Sequence, residues 1–313
     1  MHDGDGAAPL GIDDIRAAAG RLAGVAVETP LLESPLLNRA AGRRVLVKAE
    51  CLQLTGSFKL RGAWSALSAM DEAARARGVI ACSSGNHAQG VAYAAGRLGV
   101  PAVIVMPADA PRLKRANTEA YGAEVVAYDR AGGETREEAA AAVAEARGLT
   151  LVHPYDDPAV IAGQGTVGLE IARQARAAGI EAADVVVCTG GGGLASGVAL
   201  ALEAEAPGLR VRTAEPAGFD DWACSLAAGR PVRNAAPSGS VCDAILTPEP
   251  GRLAWPILSP RAGPALVVTD AEAIAAGAAG SPHLQLVLEP GVAGALAATL
   301  SRADEVAPAA GRV

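Results

Sequence analysis

Four consecutive glycines, Gly190 to Gly193, stand between an apolar run from Asp184 to Thr189 and a helix-period stretch from Leu194 to Glu205. Residues without a Cβ let the backbone turn sharply and let another group approach it closely. A strand entering such a turn and a helix leaving it belong to an α/β protein with buried parallel strands. The same turn can cradle an anion, because its amides converge and the helix adds its positive end. It has no Gly-Lys-Ser/Thr of a Walker loop, no G-x-G-x-x-G spacing and no well-placed acidic ribose partner. A single phosphate monoester suits it. So does a plainer reading, a tight strand–helix turn that needs glycine for packing.

The rest of the chain supports the α/β class. Strands are predicted at Gly78–Cys82, Pro101–Met106, Glu124–Tyr128 and Leu149–His153, with helices at Ala88–Leu98, Arg112–Tyr121 and Glu134–Arg147 between them. Residues 78–153 therefore predict a small α/β domain inserted into a larger one made of 1–77 and 154–313. In the larger part, a helix is expected over Ile12–Ala23, a strand over Val45–Ala49, and a helix following Gly163-Gln164-Gly165-Thr166 up to Ala178. Strands are expected at Arg210–Ala214 and Ala265–Thr269, and helices at Asp270–Ala279 and Val292–Leu300. Half of the residues are hydrophobic but only 3% are aromatic. The core must be Ala, Val, Leu and Ile, which suits helices packed on parallel strands.

The formal charge is -7, with both signs dispersed, and no Lys/Arg block marks a nucleic-acid surface. The apolar run Val185–Val198 is interrupted by the glycines and too short for a bilayer. The polar start, Met1 to Asp5, is not a secretory signal, and a cytoplasmic protein is expected. Cys51, Cys82, Cys188, Cys224 and Cys242 form no C-x-x-C pair, and their odd number argues against a disulfide framework. Small and apolar neighbours suggest buried, inert thiols. The four histidines, His2, His87, His153 and His283, are too scattered for zinc.

Two further stretches carry chemistry. In Gly56-Ser57-Phe58-Lys59-Leu60-Arg61-Gly62, a lysine opens a helix. The helix dipole and burial both disfavour its ammonium form, and a neutral amine attacks carbonyls to form a Schiff base. The alternative is a surface lysine in a helix-start loop. Ser83-Ser84-Gly85-Asn86-His87 sits where a strand opens into a helix, and its hydroxyls, amide and N–H groups suit a carboxylate. Ordinary N-capping explains the same residues. A reactive amine, a phosphate cup and a carboxylate cup are the needs of pyridoxal phosphate carrying an amino acid.

Ser57 to Gly62, Ser83 to His87, Ala162-Gly163-Gln164-Gly165-Thr166 and Gly190 to Gly193 together resemble the fold-type II pyridoxal-phosphate enzymes, and within them the threonine/serine ammonia-lyases (dehydratases) and serine racemase. The likeness runs from about Ala17 to the chain end and includes Glu289-Pro290. It implies a two-lobed, tryptophan synthase β-like α/β fold with open, mostly parallel sheets and helices on both faces. It implies pyridoxal 5'-phosphate on Lys59, with Lys59 also the base at the substrate Cα. Phe58 would pack beside the ring, and Asn86 would bond its hydroxyl. Gly190, Gly191, Gly192, Gly193 and Leu194 would hold the phosphate. Ser83, Ser84, Asn86 and His87 would bind the substrate carboxylate, and Arg136 would face the substrate unless it is a solvated charge on its helix. Glu215-Pro216-Ala217-Gly218-Phe219-Asp220-Asp221 resembles a divalent-cation loop. There the Glu215 and Asp221 carboxylates and the Phe219 carbonyl suit Mg²⁺, Mn²⁺ or Ca²⁺, or form a solvated acidic turn.

The resemblance implies an amino-acid substrate, a homodimer or homotetramer, and β-elimination of water from L-threonine or L-serine. The alternatives are a serine racemase using Ser84 as a second acid/base, a 3-hydroxyaspartate ammonia-lyase using Arg136, and a non-catalytic scaffold. Two departures stand out. Family members continue past the position of Val313 into an apolar strand and a Ser-Gly-Gly-Asn turn whose serine partners the pyridine nitrogen, whereas this sequence stops at Ala310-Gly311-Arg312-Val313. Ala244 stands where relatives often have glycine, and is expected to narrow the pocket.

Overall fold

The computed structural model describes residues 10–110, 112–129, 135–302 and 304–306, leaving aside the side chains of residues 136 and 137. The expectations for the segment after Ala310 lie outside the described residues.

A four-stranded parallel sheet is built from Glu124–Tyr128, Ala102–Pro107, Val79–Cys82 and Thr150–Leu151, in that order. Val79 pairs with both Ala102 and Thr150, and Val103 with Glu124. Side chains alternate across its faces. Val79, Ala81, Ile104 and Met106 pack with the helices Asn86–Leu98 and Lys59–Ala69. Ile80, Val103 and Val105 pack on the other face with Ala139 and Ala140 of the Arg136–Arg147 helix. That helix starts at a capping box, in which Thr135 accepts from the Glu138 amide and the Glu138 carboxylate accepts from the Thr135 amide. It ends at Gly148 with φ +64°.

A second parallel sheet has the order Ala183–Cys188, Leu209–Pro216, Leu266–Val268. The short strands Leu31–Glu33 and Leu46–Lys48 pair antiparallel beside it. Among the described residues Leu46–Lys48 and Ala183–Cys188 each pair on one side only, and both line the large cavity described below.

Several elements differ from expectation. Gly163 to Thr166 do not precede a helix; they lie inside Pro158–Ala177. The helix starts earlier because Asp157 accepts from the amides of Ala159 and Val160, and Pro158 suits the first turn. The glycines serve packing. A Cβ on Gly163 would sit 2.4 Å from the Arg61 carbonyl oxygen, and one on Gly165 would sit 3.0 Å from the Gly197 carbonyl oxygen in the Gly193–Glu205 helix. The strand expected over Leu149–His153 is only Thr150–Leu151, because the chain then leaves the sheet toward the cavity. Of the thiols, only Cys242 is fully buried; Cys51, Cys82 and Cys188 are partly exposed and Cys224 is exposed. All five are free. Among the described residues, no helix is long and apolar enough to cross a membrane.

Candidate active site

Lys59 is the first residue of its helix, and its amine is enclosed. Nζ donates to the Pro154 carbonyl at 2.8 Å and stands 5.2 Å from the centroid of the Phe58 ring. Burial lowers its pKa from 10.5 to about 8. A neutral carbonyl accepts a hydrogen bond without supplying the negative charge that would hold the ammonium form. Lys59 and Phe58 line a cavity of about 670 Å³ that is also lined by Ser83 to His87 and by Gly190 to Leu194. The amine and the four-glycine turn, 131 positions apart at their nearest in sequence (Lys59 and Gly190), thus open on one space.

The glycine turn cannot accept side chains. A Cβ on Gly191 would lie 2.2 Å from the Tyr155 ring, one on Gly192 2.3 Å from Trp222, and one on Gly193 2.8 Å from the Tyr155 carbonyl oxygen. Gly192 also has φ +92°, a conformation that L side chains rarely adopt. The carbonyls point into protein: Trp222 Nε1 donates to Gly190 O at 2.7 Å, and the Gly251 amide to Gly191 O at 3.0 Å. The amides of Gly190 to Leu194 meet no acceptor among the described residues. Five donors left unengaged at the start of a helix suit an anion with several oxygens.

Asn86 and His87 open the helix Asn86–Leu98, where the first amides have no partner within the helix. Ser83 Oγ accepts from the Gly85 amide at 3.2 Å, which fixes the turn. The His87 ring is buried, and its Nε2–H donates to the Val152 carbonyl at 2.9 Å. Burial, with the nearby Lys59 charge second, drops its pKa to about 3. The ring is therefore neutral and its Nδ1 has a lone pair but no partner. Its single N–H is engaged, so only the His87 amide remains to meet a carboxylate. Asn86 Nδ2 reaches Glu289 Oε2 at 3.4 Å. Arg136 begins the Arg136–Arg147 helix; its side chain lies outside the described residues.

The acidic loop is folded inward. Glu215 is fully buried and accepts from the amides of Trp222 and Ala223 at 2.8 and 3.0 Å. Burial, then the Asp221 charge, pushes its pKa well up. Asp221, first residue of the Asp221–Ala228 helix, accepts from Asn234 Nδ2 at 2.7 Å, while its other oxygen has no partner. Burial raises it to about 7. Phe219 between them is buried. Two buried carboxylates close enough to repel one another, one with an unsatisfied oxygen, suit a hard cation. Among the described residues no three His, Cys, Asp or Glu side chains cluster to hold a metal ion.

Sequence reasoning missed Pro154, Tyr155 and Trp222. The chain from Val152 to Tyr155 threads the site, with one carbonyl on His87, the next-but-one on Lys59, and a ring against Gly191. One signal was present: with only nine aromatics in the chain, Phe58, Tyr155 and Trp222 are costly choices that all converge here. Lys114, which also lines the cavity 4.0 Å from Asp243, gave no signal of its own.

The family model described as "Pyridoxal-phosphate dependent enzyme" matches residues 23–313. L-threo-3-hydroxyaspartate ammonia-lyase of Pseudomonas sp is 43% identical over 277 residues, 88% of this chain and 85% of that protein. Serine racemase of Oryza sativa subsp. indica is 39% identical over 302 residues, 95% and 87% of the two chains. Among solved structures, maize serine racemase superposes with a TM-score of 0.88 at 36% identity, covering 97% of this chain and 94% of that one. A threonine deaminase structure gives the same TM-score of 0.88 at 45% identity, covering 95% of this chain and 94% of that one.

Proposed function

The chain belongs to the pyridoxal-phosphate dependent enzymes, and on that footing we propose that it is an ammonia-lyase that eliminates water from L-threonine and L-serine, giving a 2-oxo acid and ammonia. The observation that carries this reading is an enclosed amine of lowered pKa sharing one cavity with five unengaged amides. The donor set fits the cofactor. Lys59 Nζ would hold the aldehyde end, the Gly190 to Leu194 amides the phosphate, and Phe58 and Asn86 the ring and its hydroxyl. Bound there, pyridoxal phosphate supplies an aldehyde that takes up the substrate amine and a ring that spreads negative charge from Cα.

The chain's own groups do the rest. The amides of Ser84, Asn86 and His87 hold the substrate carboxylate and fix which Cα bond faces Lys59. Lys59 Nζ, kept largely unprotonated above about pH 8 by burial, takes the Cα proton. The β-hydroxyl then leaves as water, taking up the proton that Lys59 Nζ gained from Cα, and one water adds back to the released imine to give the 2-oxo acid and ammonia. Ser84 Oγ, on the same cavity wall, would serve as the second acid/base if the Cα proton were returned from the other side, which is racemisation.

A second reading has its own observation. Lys114 is a cation on the cavity wall, suited to a second substrate carboxylate, and the 43% identical relative is named for L-threo-3-hydroxyaspartate. A panel of L-threonine, L-serine and both L-3-hydroxyaspartates, scored for ammonia, 2-oxo acid and inverted amino acid, separates these. We expect 2-oxobutanoate from threonine and pyruvate from serine as main products. Turnover confined to 3-hydroxyaspartate, or D-serine formed faster than pyruvate, would overturn the lyase reading in favour of the corresponding alternative. On the family resemblance we also propose a structural Mg²⁺, Mn²⁺ or Ca²⁺ at Glu215, Phe219 and Asp221, and a cytoplasmic homodimer or homotetramer.

A further inference from the structure

Two residues past Lys59, Arg61 is 1% exposed. Nε and Nη2 donate to Glu50 at 2.8 Å each, Nη1 and Nη2 to Glu170 at 2.6 and 2.9 Å, and further bonds reach Thr166 Oγ1 and the Val27 carbonyl. Lys48 Nζ reaches the same Glu170, along with the Thr29 carbonyl and Gln174 Oε1. Two cations and two anions are thus enclosed together. Such a group adds little net stability, since desolvating each ion offsets their attraction, and apolar replacements of similar volume often do as well. What it supplies is fixed geometry.

That geometry converges on one helical turn. Arg61 ties the Lys59–Ala69 helix to the Glu50–Leu52 turn and to the Pro158–Ala177 helix. At the same turn two neighbouring helices touch backbone. A Cβ on Gly90 would lie 3.0 Å from the Lys59 carbonyl carbon, and one on Gly163 2.4 Å from the Arg61 carbonyl oxygen. The turn is wedged between two helices, and a planar fork ties it to one of them through Glu170 and to the Glu50–Leu52 turn through Glu50.

We propose that Arg61 is a positioning residue: paired with Glu50 and Glu170, it sets the rotation and height of the first turn of the Lys59–Ala69 helix and so the point in the cavity where the Lys59 amine stands. This rests on the reading of Lys59 as the amine that takes the cofactor's aldehyde. Burial alone shifts that amine, and the nearby His87 is neutral; the Arg61 cluster acts through the backbone and not through charge on Nζ.

The test uses Arg61→Lys, which keeps the charge but loses the fork, and Glu170→Gln, which keeps Arg61 on Glu50. Lys59→Ala is the control. For each apo-protein, pyridoxal phosphate uptake is followed by the absorbance of the bound aldehyde, together with melting temperature, kcat and KM. Displacing a reacting group by about 1 Å costs roughly 100-fold. Arg61→Lys is therefore expected to take up cofactor at least about tenfold more slowly and to lose kcat by about 10- to 100-fold, with KM little changed. Glu170→Gln is expected to show a smaller loss of the same kind, and it carries the test if Arg61→Lys does not fold. A lowered melting temperature with unchanged uptake and kcat in the folded variants makes Arg61 merely structural and overturns the proposal alone. Uptake by Lys59→Ala as fast as by the wild type overturns the reading of Lys59 and the proposal together.

Discussion

Lys59 and Lys48 are two lysines with enclosed amines and opposite fates. Lys48 ends a short strand and its amine meets Glu170, the Thr29 carbonyl and Gln174. Burial lowers its pKa, but the Glu170 hydrogen bond and charge, then Glu50, pull back. Lys59 meets one neutral carbonyl, and burial acts unopposed. The same side chain becomes a structural cation where carboxylates are supplied and a latent nucleophile where they are withheld. Under the proposed function, reactivity in this cavity comes as much from the missing counter-charge as from the lysine.

Exchanging the two lysines' losses is the most severe way to break that contrast. Lys59→Ala is expected to reduce ammonia release on the order of 10⁴-fold or more, since under the proposed function it removes both the cofactor's anchor and the base, and to leave the apo-protein folded. Lys48→Ala is expected to keep turnover chemistry but destabilise the fold by about 1–3 kcal/mol, because Glu170 loses one of its two cations while Arg61 still pairs with it. Denaturant unfolding and initial rates on both variants check this. Lost activity in Lys48→Ala at unchanged stability would erase the distinction.

The next test sharpens the contrast through pH. Folding lowers the Lys59 pKa from 10.5 to about 8, so the folded apo-protein binds fewer protons than the unfolded chain between those values. Stability must then rise with pH across that window, and below about pH 8 the amine is a net burden. Lys59→Met apo-protein should be more stable than wild type at pH 7 by roughly 1–3 kcal/mol, with the advantage shrinking from pH 8 to 10.5. A constant difference across that range would mean that the amine is not depressed by burial.

The Lys59 side of this contrast, a lysine opening a helix, was legible in the sequence, and the reason is local. Lys59, the glycines and Ser83 to His87 each sit at an end of a strand or helix, where motif and backbone geometry are written in adjacent residues. The counter-charges are not local. Glu50 and Glu170 are separated by 120 positions yet grip one guanidinium, and no period or motif links them. Pro154 was invisible for a different reason: a backbone carbonyl acts there, and any residue carries one. Gly163 to Thr166 were visible but misread, because glycines that end helices and glycines that let helices touch look alike until the partner helix is known. The acidic loop was seen as solvated or cation-binding, and burial of Glu215 depends on tertiary packing that the loop itself does not encode.

The smallest effect is expected where the same pairing chemistry stands in water. Arg302 donates to Glu272 at 2.6 and 3.0 Å, with both side chains about a quarter exposed. The Arg302 hydrogen bond holds the Glu272 carboxylate down at about 2, against a slight opposing burial. A depressed carboxylate contributes stability above its unfolded value of 4.5 and loses it as pH falls toward 2. Solvent screening reduces that contribution to about 1 kcal/mol. Arg302→Ala should therefore cost about 1 kcal/mol at pH 7, much less in molar salt and little near pH 2. The loss in Lys48→Ala should survive the same salt, since buried pairs are screened far less. If salt removed both alike, the Lys48 cluster would be solvated, and its carboxylates could not be what separates a structural lysine from a reactive one.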